Sequence, residues 1–86
     1  MMHKIGEDVS VNFIYNHQSR QASPRLIKWQ NRIYKIDRLG LHYTLYQGST
    51  LIHMFAVSTK DSFFLLSFNT KTLVWRLEEI ADNATN

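Results

Sequence analysis

The chain contains no cysteine, one proline and three glycines among its 86 residues. The lack of cysteine excludes a disulfide framework, a thiolate zinc site and a cysteine nucleophile. The most apolar run, residues 63–68, is far shorter than the roughly 20 residues of a membrane-spanning helix. The N-terminal stretch MMHKIGEDVS has no apolar segment of the kind found in signal peptides. We therefore predict a cytoplasmic protein that is not inserted in a membrane.

Motifs of catalytic sites are also missing from the sequence. It has no G-x-S-x-G motif, no glycine-rich phosphate-binding loop and no paired-carboxylate motif. Asp37, which lies between Lys35 and Arg38, is typical of a solvated ion-pair partner rather than a catalytic base. We predict a protein that is not an enzyme and binds no cofactor.

Two histidines lie diagonally across a predicted hairpin, close enough to share a ligand. They are His42 and His53. A zinc site needs a third donor, and the nearby Thr44 and Tyr46 are poor zinc ligands. We predict no metal site and interpret the pair as part of a semi-polar sheet face.

What the sequence does contain is apolar: 44% of its residues are hydrophobic and 13% are aromatic. A domain of this size buries roughly 60% of the surface that its unfolded chain exposes, so a dense core is required. We predict one domain over residues 1–86, with an ordered core over about 5–79 and a frayed tail over 80–86.

Alternating apolar and polar residues predict short antiparallel strands. The first covers residues 8–15, and a polar loop follows over 17–23. A hairpin over 24–39 turns at Gln30-Asn31, and a second, over 41–58, turns at Gly48-Ser49 after a bend at Gly40. The last two strands cover 62–69 and 72–78. We predict an all-β antiparallel meander of five to seven strands, centred on hairpin 24–39 and forming a rolled sheet or a small barrel.

The hairpin registers assign faces to the side chains. In the first hairpin, one face carries Ile27, Trp29 and Tyr34, and the other carries Lys28 and Lys35, with Arg32 placed to stack on Trp29. Both faces of the second hairpin are apolar, so a flatter sheet that dimerises through its second face is the alternative to a closed barrel. The side chains expected to be largely buried are Trp29, Tyr34, Phe55, Phe64, Leu66 and Trp75.

Positive charge is concentrated in one part of the chain. Six basic residues and one acid lie between Arg20 and Arg38, which gives that stretch a charge of +5 in a chain of net charge +3. Such asymmetry indicates either an anionic partner or a solvated sheet face protected by lysine and arginine.

Two stretches resemble a known family. Residues 24–34 fit the pattern W-x-[GN]-R-x-Y, and residues 68–78 fit F-[DN]-T-x-T-x-x-W-x-L-E. Both are similar to a family of small bacterial all-β domains of unknown function, in which glycine is usual where this chain has Asn31. The resemblance covers most of residues 9–82 and implies a fold but no catalytic residues. The Arg-x-Tyr…Trp spacing is also similar to β domains at the C-terminal end of relatives of error-prone DNA polymerases.

Two functions are compatible with these features. The first is a binding or accessory module whose basic hairpin face contacts an anionic partner such as nucleic acid, through Arg20, Arg25, Lys28, Lys35 and Arg38. The second is a protein-interaction or self-associating domain, a homodimer in the simplest case. Its interaction face would consist of Leu41, Tyr43, Ile52 and Met54.

Overall fold

A computed structural model describes residues 2–82, and the regular structure in that part of the chain is entirely β-strand. The strands pair antiparallel in one sheet of order β3-β2-β1-β7-β6-β5-β4. The predicted all-β antiparallel meander is therefore confirmed. No helix able to span a bilayer occurs within residues 2–82. The strands are β1 (Met2–Asn16), β2 (Gln21–Trp29), β3 (Arg32–Lys35), β4 (Arg38–Gln47), β5 (Thr50–Ser58), β6 (Ser62–Asn69) and β7 (Val74–Asp82).

The long strand β1 joins the two parts of the sheet. Its residues 2–9 pair with β7 along one edge, and its residues 10–16 pair with β2 along the other. Between Lys4 and Glu7 the register shifts at Gly6, which has a φ of 67°. Glycine adopts this conformation without the strain that a side chain would bring, so the strand bends here. The change of partner lets β1, β2 and β3 fold across the inner side of β4–β7.

The connection between β3 and β4 reveals how strongly the sheet is rolled. These strands lie at opposite ends of the strand order, yet Ile36 and Asp37 alone separate them in the chain. The Ile36 amide donates to the Arg25 carbonyl on β2, and the Asp37 amide donates to the Ser58 carbonyl on β5, each at 2.9 Å. The two edge strands do not pair with each other, so the sheet is rolled but not closed into a barrel.

The core lies between the two parts of the rolled sheet. Tyr34 of β3 packs edge-on against Phe64 of β6, with ring centroids 5.1 Å apart. Burial of each large apolar side chain contributes about 1.5–3 kcal/mol to stability. The central buried cluster is Ile27, Phe55, Val57, Phe64, Leu66, Trp75 and Leu77.

The registers predicted for both hairpins are confirmed. Ile27 opposes Tyr34 in the first hairpin, and Leu41 opposes Ala56 in the second. The bend predicted at Gly40 is present as a register shift between β4 and β5.

Both turns have the backbone that a two-residue hairpin needs. Gln30 and Asn31 have φ values of 52° and 61°, as a type I′ turn requires, although glutamine is unusual at its first position. Gly48 has a φ of 63°, as the first turn residue of type II′ requires.

Strand boundaries differ from the prediction at both ends of the chain. β1 begins at Met2 instead of residue 8, because residues 2–4 pair with residues 79–81. β7 continues to Asp82, and Ala81 is buried, so the tail predicted to fray is a paired strand as far as that residue. Residues 83–86 of the predicted tail lie outside the described part of the chain.

Two internal boundaries differ as well. β2 begins at Gln21, within the stretch predicted as a loop, because Asn16 and Gln21 already pair across a short turn. β7 begins at Val74 instead of residue 72, because Leu73 has a φ of 62° and belongs to the preceding turn. The Asn69 side chain stabilises that turn by accepting hydrogen bonds from the amides of residues 71 and 72.

The first hairpin is less central than predicted, since β2 and β3 form one end of the sheet while β1 and β7 lie near its middle. Trp29 and Tyr34 are accordingly half-buried instead of largely buried. Trp29 Nε1 donates a hydrogen bond to Glu7 Oε1 at 3.0 Å. Arg32 lies over the ring of Tyr34, 5.4 Å from its centroid, and not over Trp29. The other four predicted core residues are buried as expected: Phe55, Phe64, Leu66 and Trp75.

Candidate functional site

The side of β4, β5 and β6 that points away from the core is a largely apolar surface, which we call the outer face. Its β4 row, Leu41, Tyr43 and Leu45, is 56%, 40% and 41% exposed. Ile52 and Met54 are buried, because β5 lies between β4 and β6 and the side chains of those two strands cover it. The outer face consists of Leu41, Tyr43, Leu45, Ile52, Met54, Ala56, Phe63 and Leu65.

The four residues predicted for the interaction face therefore share one surface but differ in access. Leu41 and Tyr43 are open to a partner, whereas Ile52 and Met54, on the neighbouring strand, are buried. Phe63, 48% exposed, adds an apolar side chain that the prediction did not include.

Strand β4 is also a free edge, since it pairs with β5 and with no second strand in residues 2–82. Natural edge strands are usually blunted by lysine, proline or short length. β4 has ten residues, Arg38 is its only charged residue, and it contains no proline. Its outward N–H and C=O groups are therefore open to pairing with a further strand.

The outer face is bounded differently at its two ends. At one end it opens into a cavity of about 580 Å³, whose lining includes Met2, Leu39 and Phe63, with Arg38 beside them. On β7 its neighbour is a polar cluster. Arg76 lies 3.5 Å from Glu78 and 3.4 Å from Asp8, and the Ser67 hydroxyl donates to Glu78 at 2.5 Å. The apolar surface thus covers β4, β5 and the start of β6, and at the cavity it extends to Met2 of β1.

The five residues predicted to contact an anionic partner are all exposed, and the ion pairs within residues 2–82 involve Arg76 and none of these five. Their positive charges are therefore not neutralised by direct contact with acidic side chains of residues 2–82. The five are Arg20, Arg25, Lys28, Lys35 and Arg38.

The fold brings some of these basic residues together and separates others. Lys28 opposes Ile33 and Lys35 opposes Leu26, so the two lysines are diagonal neighbours on the outward side of the first hairpin. Arg20 lies in the turn at the far end of β2, roughly 25 Å from Lys28 along an extended strand.

His42 and His53 contact each other on the opposite, inner side of the second hairpin. His42 Nε2 lies 2.8 Å from His53 Nδ1, and the two rings lie side by side, with planes 18° from parallel and centroids 5.1 Å apart. His42 also stacks on Phe55, with centroids 4.5 Å apart and planes 1° from parallel. Within residues 2–82, no group of three or more His, Cys, Asp or Glu side chains is placed to hold a metal ion.

The surroundings of His42 favour its neutral form. Burial lowers the pKa of His42, and the positive charge of a protonated His53 lowers that pKa further. Because a neutral imidazole has one donor and one acceptor nitrogen, the pair holds a single hydrogen bond and keeps one donor and one acceptor for other partners.

A second cavity, of about 230 Å³, lies beside this histidine pair. Its lining includes Phe13, Tyr15 and Arg20, which no pattern in the sequence connects with the histidines. Alternation along β1 indicates that Phe13 and Tyr15 share a face, but it does not reveal that this face lies across from β4 and β5.

Comparison with models of protein families, with curated proteins and with solved structures finds no match for this chain in any of the three.

Proposed function

We propose that this protein is a non-enzymatic interaction module that self-associates through the outer face and the free edge of β4. The observation that carries the proposal is the exposed row Leu41, Tyr43 and Leu45 on a strand with an unprotected edge. Contiguous exposed apolar surface is typical of interaction sites in soluble proteins. We also propose that the protein acts in the cytoplasm.

A second copy of the chain is the partner that fits this edge. Two β4 strands related by a two-fold axis run antiparallel, so each supplies the hydrogen-bonding groups that the other lacks. Residues 41–47 carry no charge that would repel an identical strand. Pairing of the two edges places both outer faces on the same side of one continuous sheet, where their apolar rows meet.

The test is the molar mass in solution, measured by light scattering over a range of protein concentrations. We expect a dimer for the natural chain and a monomer for Leu41→Lys/Leu45→Lys, because lysines that meet across the two paired β4 strands repel one another and disrupt the apolar contact. Ile33→Lys is the matched control, since Ile33 is 67% exposed on the other edge strand and outside the outer face. A natural chain that stays monomeric at every concentration would contradict the proposal.

A second function, binding of an anionic partner such as nucleic acid, is favoured because the five basic residues form no ion pair within residues 2–82. Lys28 and Lys35 would form its centre, with Arg25 on the same strand as Lys28. Each phosphate contact with duplex DNA contributes roughly −0.9 to the slope of log affinity against log salt, so three to five contacts give a steep dependence. Self-association through apolar surface is insensitive to salt or strengthened by it.

Titrations with single- and double-stranded oligonucleotides at two salt concentrations test this second function. We expect Lys28→Glu/Lys35→Glu to weaken binding strongly. Lys4→Glu/Lys71→Glu is the control, because it changes the net charge equally at two exposed lysines outside the hairpin. Equal losses in both double variants would assign the effect to net charge, and no binding at low salt would remove nucleic acid as a partner.

A further inference from the structure

The inner side of the rolled sheet is open between the β1–β2 turn and the strands β4 and β5. Deeper on this side Phe64 and Leu66 are buried, and Trp29 and Tyr34 are half-buried. At the opening, Phe13 is 43% exposed and Tyr15 is 59% exposed, although both lie on the face of β1 that points to the core. The cavity of about 230 Å³ lies at this opening.

Aromatic rings form most of the cavity wall. Trp75 lies at the centre of the cluster, with its ring centroid 5.6 Å from Phe13, 5.4 Å from Phe55 and 4.8 Å from Phe68. The stack continues from Phe55 to His42. These distances are those of favourable ring–ring contacts, so the wall offers both flat faces and ring edges to a further ring.

The lining has few polar groups, and the formal charge among them is positive. Among the described residues that line the cavity, Arg20 is charged and none is acidic. The titratable groups that face the cavity are Tyr15, His42 and His53. After their mutual hydrogen bond, the two histidines keep one donor and one acceptor nitrogen.

We propose that this cavity is a binding site for a small planar aromatic molecule that carries an acidic group. The ring stacks against the aromatic wall, the histidine pair hydrogen-bonds polar atoms on it, and Arg20 contacts the acidic group at the rim. The volume is below the roughly 300–1,000 Å³ of pockets for drug-sized ligands, which limits the ligand to about one or two fused rings. The site is separate from both surfaces proposed above, except that Arg20 also belongs to the basic set.

NMR titrations of the natural chain with three probes of related shape test the contributions of the aromatic ring and of the acidic group separately. Indole-3-acetate has the ring and the charge, indole-3-acetamide has the ring without the charge, and cyclohexylacetate has the charge without aromaticity. We expect indole-3-acetate to bind most tightly and to shift the ring signals of His42, His53 and Trp75. The amide should bind roughly tenfold more weakly, because a hydrogen bond to a charged group is lost.

Substitutions at Arg20 test whether the site is the one proposed. Arg20→Gln should weaken indole-3-acetate binding roughly tenfold and leave indole-3-acetamide binding unchanged, whereas Arg20→Lys should retain most of the affinity. Arg25→Gln is the matched control, because Arg25 is exposed on β2 and does not line the cavity. Ala22→Leu fills the cavity and should abolish binding of both indoles.

Several results would overturn the proposal. One is the absence of shifts at His42, His53 and Trp75 with every probe. Another is equal affinity for indole-3-acetate and its amide, and a third is an equal effect of Arg20→Gln and Arg25→Gln. If Ala22→Leu does not fold, the two arginine variants decide the outcome, since both positions are exposed.

Discussion

His42 and His53 lie on neighbouring strands, and their rings share one hydrogen bond of 2.8 Å between Nε2 of the first and Nδ1 of the second. This bond requires that one of the two nitrogens carry a proton and the other a lone pair. Protonation of both rings removes the acceptor and places two positive charges beside Phe55. The stability of the fold therefore depends on the protonation state of this pair.

The stability of the protein should fall as the pH is lowered through the range in which histidine titrates. The folded-state pKa of His42 lies below the ordinary value of 6.5, mainly because of burial and then because of His53. As the pH falls, the unfolded chain binds this proton first, so the stabilisation is complete above 6.5 and is lost towards the folded-state pKa. The measurement is the midpoint of urea unfolding at several pH values between about 7.5 and 5. This range extends roughly one unit or more on each side of the ordinary histidine pKa.

His42→Phe separates this effect from the titration of other groups. The phenyl ring keeps the stack on Phe55 but has no proton to gain, so the midpoint of the variant should change less with pH. His17→Gln is the control, because His17 lies in the exposed turn after β1. A His42→Phe variant with the full pH dependence of the natural chain would assign that dependence to other residues.

Trp75→Ala should destabilise the protein by about 3–5 kcal/mol, because a large side chain is removed from contact with three other aromatic rings. Small proteins are stabilised by about 5–15 kcal/mol in total, so the variant should be largely unfolded or insoluble. Leu73→Ala, at a side chain 69% exposed, should change stability by less than about 0.5 kcal/mol. Thermal unfolding of both variants provides the test, and an unshifted midpoint for Trp75→Ala would contradict the packing described.

Gln30→Asn/Asn31→Gly should stabilise the first hairpin. Both turn residues have positive φ, and Asn-Gly is the preferred pair for a type I′ turn. The relief of backbone strain is opposed in part by the entropy of glycine, so we expect a gain of up to about 1 kcal/mol in unfolding free energy. Urea unfolding measures the change, and a lower midpoint would be evidence against the turn type.

Gly48→Ala should have the opposite effect at the second turn. Within residues 2–82 no atom beyond the adjacent residues lies within 4 Å of an added Cβ, so the cost comes from the positive φ of 63°. We expect a loss of about 1–2 kcal/mol, the usual penalty for a side chain in the left-handed region. Ser49→Ala is the control at the neighbouring position, where φ is not positive. Equal stability of the two variants would show that the turn had rearranged.

Local relationships were predictable from the sequence because turn length fixes register. Two-residue turns at Gln30-Asn31 and Gly48-Ser49 determine which residues oppose each other, and alternation then assigns the faces. The proximity of His42 and His53 followed from the same argument. The functions proposed for the exposed surfaces stay predictions, because exposure alone does not identify a partner.

Contacts between the ends of the chain were not predictable in this way. Val9 opposes Trp75, and Met2 opposes Ala81, across almost the whole length of the chain. No turn fixes such a register, and residues 2–7 and 79–82 lack the alternation that identifies a strand alone. Because these two segments pair with each other, hairpin 24–39 lies at one end of the sheet and not at the predicted centre. Trp29 is therefore half-buried.

Strand periodicity and turn chemistry are local properties, so the antiparallel hairpins and their registers could be predicted from the amino-acid sequence. The change of partner between the two halves of β1, and the rolling of the sheet without closure, became visible in the three-dimensional structure. That arrangement, set by long-range packing, leaves β4 as a free edge and places Phe13, Tyr15 and Arg20 opposite the histidine pair. The surfaces available for binding therefore depend on how the strands assemble and cannot be derived from any one hairpin.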